Sequence, residues 1–98
     1  MNILLVKNGK IEIKNGNGNL ITTFGNHISN AEFNVNQSLI IAVLSNGKIE
    51  LRKNNGSLIR EMNLNAIYAK WYNENILITT KNNKNELRNI NGSLIKIY

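Results

Sequence analysis

The sequence predicts an all-β fold made of antiparallel four-stranded meanders. Three observations predict it: an internal repeat with a period of 36 to 38 residues, short runs in which apolar and charged residues alternate, and Asn-Gly pairs between the runs. Asn46–Arg60 (NGKIELRKNNGSLIR) aligns with Asn82–Lys96 (NNKNELRNINGSLIK) at an offset of 36, with ten of fifteen positions identical. Asn8–Thr22 (NGKIEIKNGNGNLIT) aligns with Asn46–Arg60 at an offset of 38, with nine of fifteen identical. Between these copies Ala31, Phe33, Leu39 and Ile40 recur as Ala69, Trp71, Leu77 and Ile78, again 38 apart. A fixed period of this length marks repeat architectures, in which one unit cannot bury its apolar face alone.

The elements follow from alternation and turn chemistry. In Lys10–Lys14, Ile11 and Ile13 point one way while Lys10, Glu12 and Lys14 point the other; Ile49 and Leu51 oppose Lys48, Glu50 and Arg52 in the same manner. That is the pattern of a strand with one apolar face. Asn8-Gly9, Asn46-Gly47, Asn55-Gly56 and Asn91-Gly92 supply the positive φ angles of tight turns. The predicted strands are Ile3–Lys7, Lys10–Lys14, Leu20–Phe24, Ile28–Asn34, Leu39–Leu44, Lys48–Arg52, Leu58–Met62, Ala66–Tyr72, Ile76–Thr80, Asn85–Arg88 and Leu94–Tyr98. Four strands fill one period, so residues 1–98 form a single domain of a partial repeat (1–27) and two further repeats (28–64 and 65–98). No helix of three turns is supported anywhere. The longest apolar run near the N-terminus, Ile3–Val6, is too short for a signal-peptide core or a membrane span. A soluble, cytoplasmic protein with no membrane partner is expected.

The meander from Ile28 to Met62 (ISNAEFNVNQSLIIAVLSNGKIELRKNNGSLIREM) resembles a β-propeller blade of the WD-repeat type. Phe33 stands where the innermost strand of that family carries an aromatic. Leu39–Leu44 matches the second strand, Ile49 and Leu51 the third, and Leu58-Ile59 the outermost; Trp71 takes the place of Phe33 in the next copy. The resemblance lies in pattern and period. The Trp-Asp pair that names the family is replaced by Lys14-Asn15, Arg52-Lys53 and Arg88-Asn89. With no Asp and one His, the family's hydrogen-bonded network cannot form. The resemblance therefore implies a blade-like topology and carries no family site onto this chain.

Closed propellers have about four to eight blades, whereas eleven strands make fewer than three. The ends are apolar: Leu4, Val6, Ile11 and Ile13 open the chain, and Leu94, Ile95, Ile97 and Tyr98 close it. Repeat arrays need polar caps or further partners. A propeller-like ring closed by a homodimer is expected, two copies giving roughly six blades. The alternative is a small monomeric β-barrel or sandwich.

The residue inventory argues against an enzyme. No Cys is present, so disulfides, thiolate zinc sites and thiol nucleophiles are excluded. His27 has no Asp, Cys or second His to work with and reads as a loop residue. Glu12, Glu50 and Glu86 are repeat-equivalent, each followed two positions later by Lys14, Arg52 or Arg88. Three copies of one arrangement suit solvated or cross-strand ion pairs; a catalytic carboxylate pair needs two different environments. The Asn15–Asn19 run (NGNGN) is followed by a strand and not a helix, which removes the basis of a phosphate loop and leaves a hairpin loop. No cofactor, metal or catalytic residue is predicted.

The net charge of +6 arises from 12 Lys and Arg against 6 Glu. Part of it belongs to a composition rich in Asn (21 residues) and Lys, whose codons are AT-rich. Lys7, Lys10, Lys48, Lys81 and Lys84 nonetheless cluster at one kind of turn, between the second and third strands of each repeat. In a ring those turns share a rim. The rim is the candidate binding surface of a non-enzymatic, self-associating module that contacts another protein as an accessory factor or inhibitor. Two other readings compete: a basic nucleic-acid-binding protein, or inhibitor of a nucleic-acid machine, and an oligomeric sugar-binding propeller.

Overall fold

The computed structural model describes all residues, Met1–Tyr98. Eleven strands follow one another: β1 (Ile3–Lys7), β2 (Lys10–Lys14), β3 (Leu20–Phe24), β4 (Ile28–Phe33), β5 (Leu39–Leu44), β6 (Lys48–Lys53), β7 (Leu58–Asn63), β8 (Ala66–Tyr72), β9 (Asn75–Thr80), β10 (Asn85–Arg88) and β11 (Leu94–Ile97). They form three antiparallel meanders: β1-β2-β3, β4-β5-β6-β7 and β8-β9-β10-β11. The sheets stack face to face into a body of 40 × 25 × 19 Å. They neither close into a barrel nor pair as a sandwich, so the propeller-like arrangement is the one observed. No strand of the first sheet corresponds to β4 or β8, and the sheet begins at the counterpart of β5.

The turns explain the abundance of Asn. Lys7 pairs with Lys10 across a two-residue loop in which Asn8 (φ 53°) and Gly9 (φ 76°) are both left-handed, the geometry that matches strand twist. Elsewhere an Asn side chain accepts from the backbone two residues on: Asn46 from Lys48, Asn55 from Ser57 and Asn89 from Asn91. Asn15 accepts from Asn17 and Asn19, so the Asn15–Asn19 run is a closed hairpin loop as predicted. A short side-chain amide satisfies backbone donors that the ladder cannot reach.

The core lies between sheets. Ile11, Ile13, Ile28, Ile40 and Ala42, with Leu4, Phe24 and Phe33 at the margin, fill the space between the first and second sheets. Ile41, Val43, Ile49, Leu51, Met62, Ala66, Ala69, Ile76 and Ile78, with Trp71 at the margin, fill the space between the second and third. The second sheet is therefore apolar on both faces, which is why β5 reads as a continuous apolar run. Fully burying each Ile side chain contributes about 1.5–3 kcal/mol. Phe33 and Trp71 both flank the core; Trp71 also donates its indole N–H to Glu32 O (3.0 Å), tying β8 to β4.

Two sequence expectations need correction. Ile40 pairs with Arg52, whereas in the third sheet Arg88 pairs with Ile76 and Glu86 with Ile78. The counterparts of Leu39 and Ile40 are thus Asn75 and Ile76, not Leu77 and Ile78. Phe33 pairs with Ile40 across six intervening residues and Trp71 with Ile76 across four, and the two-residue difference shifts the register of everything after it. The second correction concerns the acid-base pairs. Glu50 is buried, and its carboxylate binds Arg52 Nε on the same strand at 2.9 Å; Glu86 and Arg88 repeat the distance. These are not pairs on open sheet surface. Each lies on the face turned toward the preceding sheet.

That face forms a joint used twice. Arg52 Nη1 also donates to Gly56 O (2.6 Å), and the guanidinium sits 5.5 Å from the centre of the Phe24 ring in the first sheet. A Cβ on Gly56 (φ 95°) would stand 2.8 Å from Phe24 Cδ2. At the next joint Arg88 Nη1 donates to Gly92 O (2.7 Å), and a Cβ on Gly92 would stand 3.1 Å from Met62 Sδ. The rigid guanidinium fork holds carboxylate and turn carbonyl together, and the bare glycine leaves room for Phe24 or Met62 at the end of the neighbouring sheet's last strand.

Candidate functional site

The candidate site is the row of turns joining the second and third strands of each repeat. Main-chain bonds fix these turns relative to one another. Ile28 N donates to Gly9 O (2.9 Å), and Ala66 N donates to Gly47 O (2.9 Å). The residues just before them, His27 (φ 57°) and Asn65 (φ 55°), are both left-handed, and their carbonyls accept from Ser45 N (2.8 Å) and Lys81 N (2.9 Å) in the turns of the following sheets. Each link residue thus bridges the turn behind it to the turn ahead. This gives His27 a backbone role.

The five predicted lysines all flank these turns. Lys7 and Lys10 close the first, Lys48 follows the second, and Lys81 and Lys84 lie in the third. Two are engaged within the chain: Lys10 Nζ donates to Gly25 O (3.3 Å) and Asn26 Oδ1 (3.1 Å), and Lys48 Nζ lies 3.2 Å from Glu61 Oε1. Lys7, Lys81 and Lys84 are exposed and form no ion pair. The turns carry no second His, no Cys and no Asp, and no cluster of three metal-ligating side chains is present in the chain.

Sequence reasoning missed a second surface. On the face of the third sheet turned away from the core, Tyr72, Leu77, Asn85, Leu87 and Tyr98 line an open groove of 330 Å³. Its signal was in the sequence: Leu87 is the repeat counterpart of the buried Leu51, and by register Tyr98 is the counterpart of Phe24 and Met62.

Comparison with known proteins agrees with this architecture. The structure is similar to the crystal structure of the C-terminal WD40 domain of Sif2, with a TM-score of 0.68 and 17% sequence identity over 94% of this chain. The chain covers 31% of that structure, about a third of its length. No family model matches the sequence, and no curated protein matches it. The likeness shows that the three sheets resemble propeller blades of a WD40 domain in fold. No helix in the chain is long and apolar enough to cross a membrane.

Proposed function

We propose that this protein is a non-enzymatic, self-associating binding module that presents its turn rim to another protein, the rim fitting an acidic surface. One observation carries the reading: the link residues His27 and Asn65 bind the turns into a rigid row from which Lys7, Lys81 and Lys84 project without internal partners. A protein partner fits better than nucleic acid. Three free ammonium groups fall short of the roughly 6–10 phosphate contacts of tight nucleic-acid binders. Phe33 and Trp71 are committed to the core margins, which leaves the exposed Tyr68, Tyr72 and Tyr98 as the aromatics open to solvent.

The test is fluorescence anisotropy with labelled poly-L-glutamate and with a labelled DNA duplex, at about 50 and about 200 mM salt. Saturable binding of poly-glutamate, lost when Lys7, Lys10, Lys48, Lys81 and Lys84 are all replaced by Gln, is the expected result. Unchanged affinity in that variant removes the rim from the reading. Stronger binding of the duplex, falling steeply with salt, transfers the rim to nucleic acid.

A further inference from the structure

The two ends of the stack carry the two halves of the internal joint. The leading half is the face of a blade turned toward its predecessor. In the second and third blades it holds Ile40 and Ala42, and Ile76 and Ile78, all four at 0% exposure. In the first blade, Ile3 pairs with Lys14 and Leu5 with Glu12, so Ile3 and Leu5 occupy the same two positions, at 48% and 41% exposure. The turn matching Gly56 and Gly92 is at Gly18 (φ 86°), and a Cβ there would meet nothing within 4 Å. The apolar pair and the glycine turn of the leading half are present and uncovered, with Lys14 in place of the arginine.

The trailing half on the third blade is open at one side: Tyr98 is exposed and Leu77 half-buried, while Leu87 is 7% exposed. Leu77 and Leu87 take the places of Ile41 and Leu51, on which Ile76 and Ile78 pack at the internal joint. Tyr98 takes the place of Met62; its exposure is 62% against 7% for Met62. The groove between Tyr72 and Tyr98 is what an internal joint leaves when its leading half is lifted away.

We infer that the outer face of the third blade receives the first blade of a second copy of this chain, head to tail, repeating the internal joint. Ile3 and Leu5 of one copy enter the groove over Leu77 and Leu87 of the other. The Gly18 turn lies against Tyr98, as Gly56 lies against Phe24. Lys14 approaches the Tyr98 ring as Arg52 approaches Phe24; in the single chain Lys96 Nζ holds that position, 5.1 Å from the ring centre. Chemistry also sets the joint's strength. Lys14 lacks the guanidinium fork. Thr79 and Asn85, bonded to each other at 3.0 Å, replace Val43 and Ile49. The new joint is more polar than the internal ones, so it dissociates on dilution.

The inference deepens the self-association part of the proposed function and is independent of the rim. A head-to-tail contact uses two different surfaces, and this gives it a distinctive test by light scattering across a dilution series. Leu5→Lys blocks the head and Leu77→Lys blocks the tail, each on an outward face. Far-UV circular dichroism and Trp71 fluorescence report that each variant folds. Wild type is expected above the mass of one chain at high concentration. Each variant alone is expected at the mass of one chain throughout. Their equimolar mixture restores one good head and one good tail, and is expected at the mass of two chains and no higher. Tyr98→Ala, at the chain end, is a milder variant expected to weaken assembly roughly tenfold or more. A wild type that stays single at every concentration overturns this joint and the self-association in the broader reading alike. Assembly that ignores Leu5→Lys and Leu77→Lys, or a mixture that stays single, overturns this joint alone.

Discussion

Replacing Gly56 by Ala isolates the blade joint from ordinary turn strain, provided it is compared with the same change at Gly18. The two glycines occupy the same turn of neighbouring repeats and have similar left-handed angles, φ 95° and φ 86°. Forcing an L residue there costs about 1–2 kcal/mol, partly offset by about 0.4–1 kcal/mol from a less flexible unfolded chain. Both substitutions share those terms. They differ in surroundings: the new Cβ at Gly56 would lie 2.8 Å from Phe24 Cδ2 and 2.9 Å from Cγ, and at Gly18 it meets nothing within 4 Å. The Phe24 ring cannot retreat freely, because Arg52 covers it at 5.5 Å. Overpacking of this kind costs about 1–3 kcal/mol. Gly56→Ala is therefore expected to be about 1–3 kcal/mol less stable than Gly18→Ala. At about 4–8 °C per kcal/mol for a domain of this size, the two melting temperatures are widely separated. The assay is urea unfolding followed by Trp71 fluorescence, at a dilution where the chain is single. Equal stabilities would refute the joint described here.

Further outcomes follow from the same geometry. Arg52→Lys keeps the charge but loses the fork shared by Glu50 and Gly56, and is expected to cost about 1–3 kcal/mol in urea unfolding. Ile78→Ala removes a side chain at 0% exposure between the second and third blades and should cost about 2–5 kcal/mol by the same measurement. His27→Val places a β-branched residue at φ 57° and should lower stability by about 1–2 kcal/mol, whereas His27→Asn should be near neutral, since Asn65 already serves at the equivalent link. Lys81→Gln and Lys84→Gln, at exposed ammonium groups without partners, should leave stability within about 0.5 kcal/mol while lowering affinity for poly-glutamate.

Much of the fold was legible because period and alternation are local signals. Ile11 and Ile13 against Glu12 fix the faces of one strand, and each Asn-Gly turn fixes where the next begins; the predicted strand ends differ from the observed ones by a single residue at Phe33, Lys53, Asn63, Asn75 and Ile97. What escaped depends on partners distant in sequence. Identity suggested that Leu77 and Ile78 continue the register of Leu39 and Ile40, but a shorter β8–β9 turn moves the pairing by two. Alternation placed Glu50 on a polar face, and only the stacking of a neighbouring blade shows that this face is covered. Spacing puts the five lysines beside the turns, yet nothing in it reveals that Lys10 is tied to Gly25 and Asn26, or that Lys48 lies against Glu61.

Departures from the repeat carry as much information as the repeat itself. Within the stack, each blade presents an aromatic or thioether at the end of its last strand and receives its neighbour's glycine turn and arginine fork. At the open ends the same positions hold Lys14 for Arg and Tyr98 for Met62. Asn85 replaces Ile49, and its bond to Thr79 satisfies a polar pair where the internal joint is wholly apolar. Each change softens a buried contact into one that tolerates water, since a lysine, a tyrosine hydroxyl and an amide can all be solvated when the joint is open. The apolar elements that give a joint its affinity, Ile3 and Leu5 on one end and Leu77 and Leu87 on the other, remain in place. Surfaces built only for solvent would have no need of that second set, and surfaces built only for permanent burial would have no need of the first. Under the head-to-tail joint inferred above, the combination suits a contact that forms and releases.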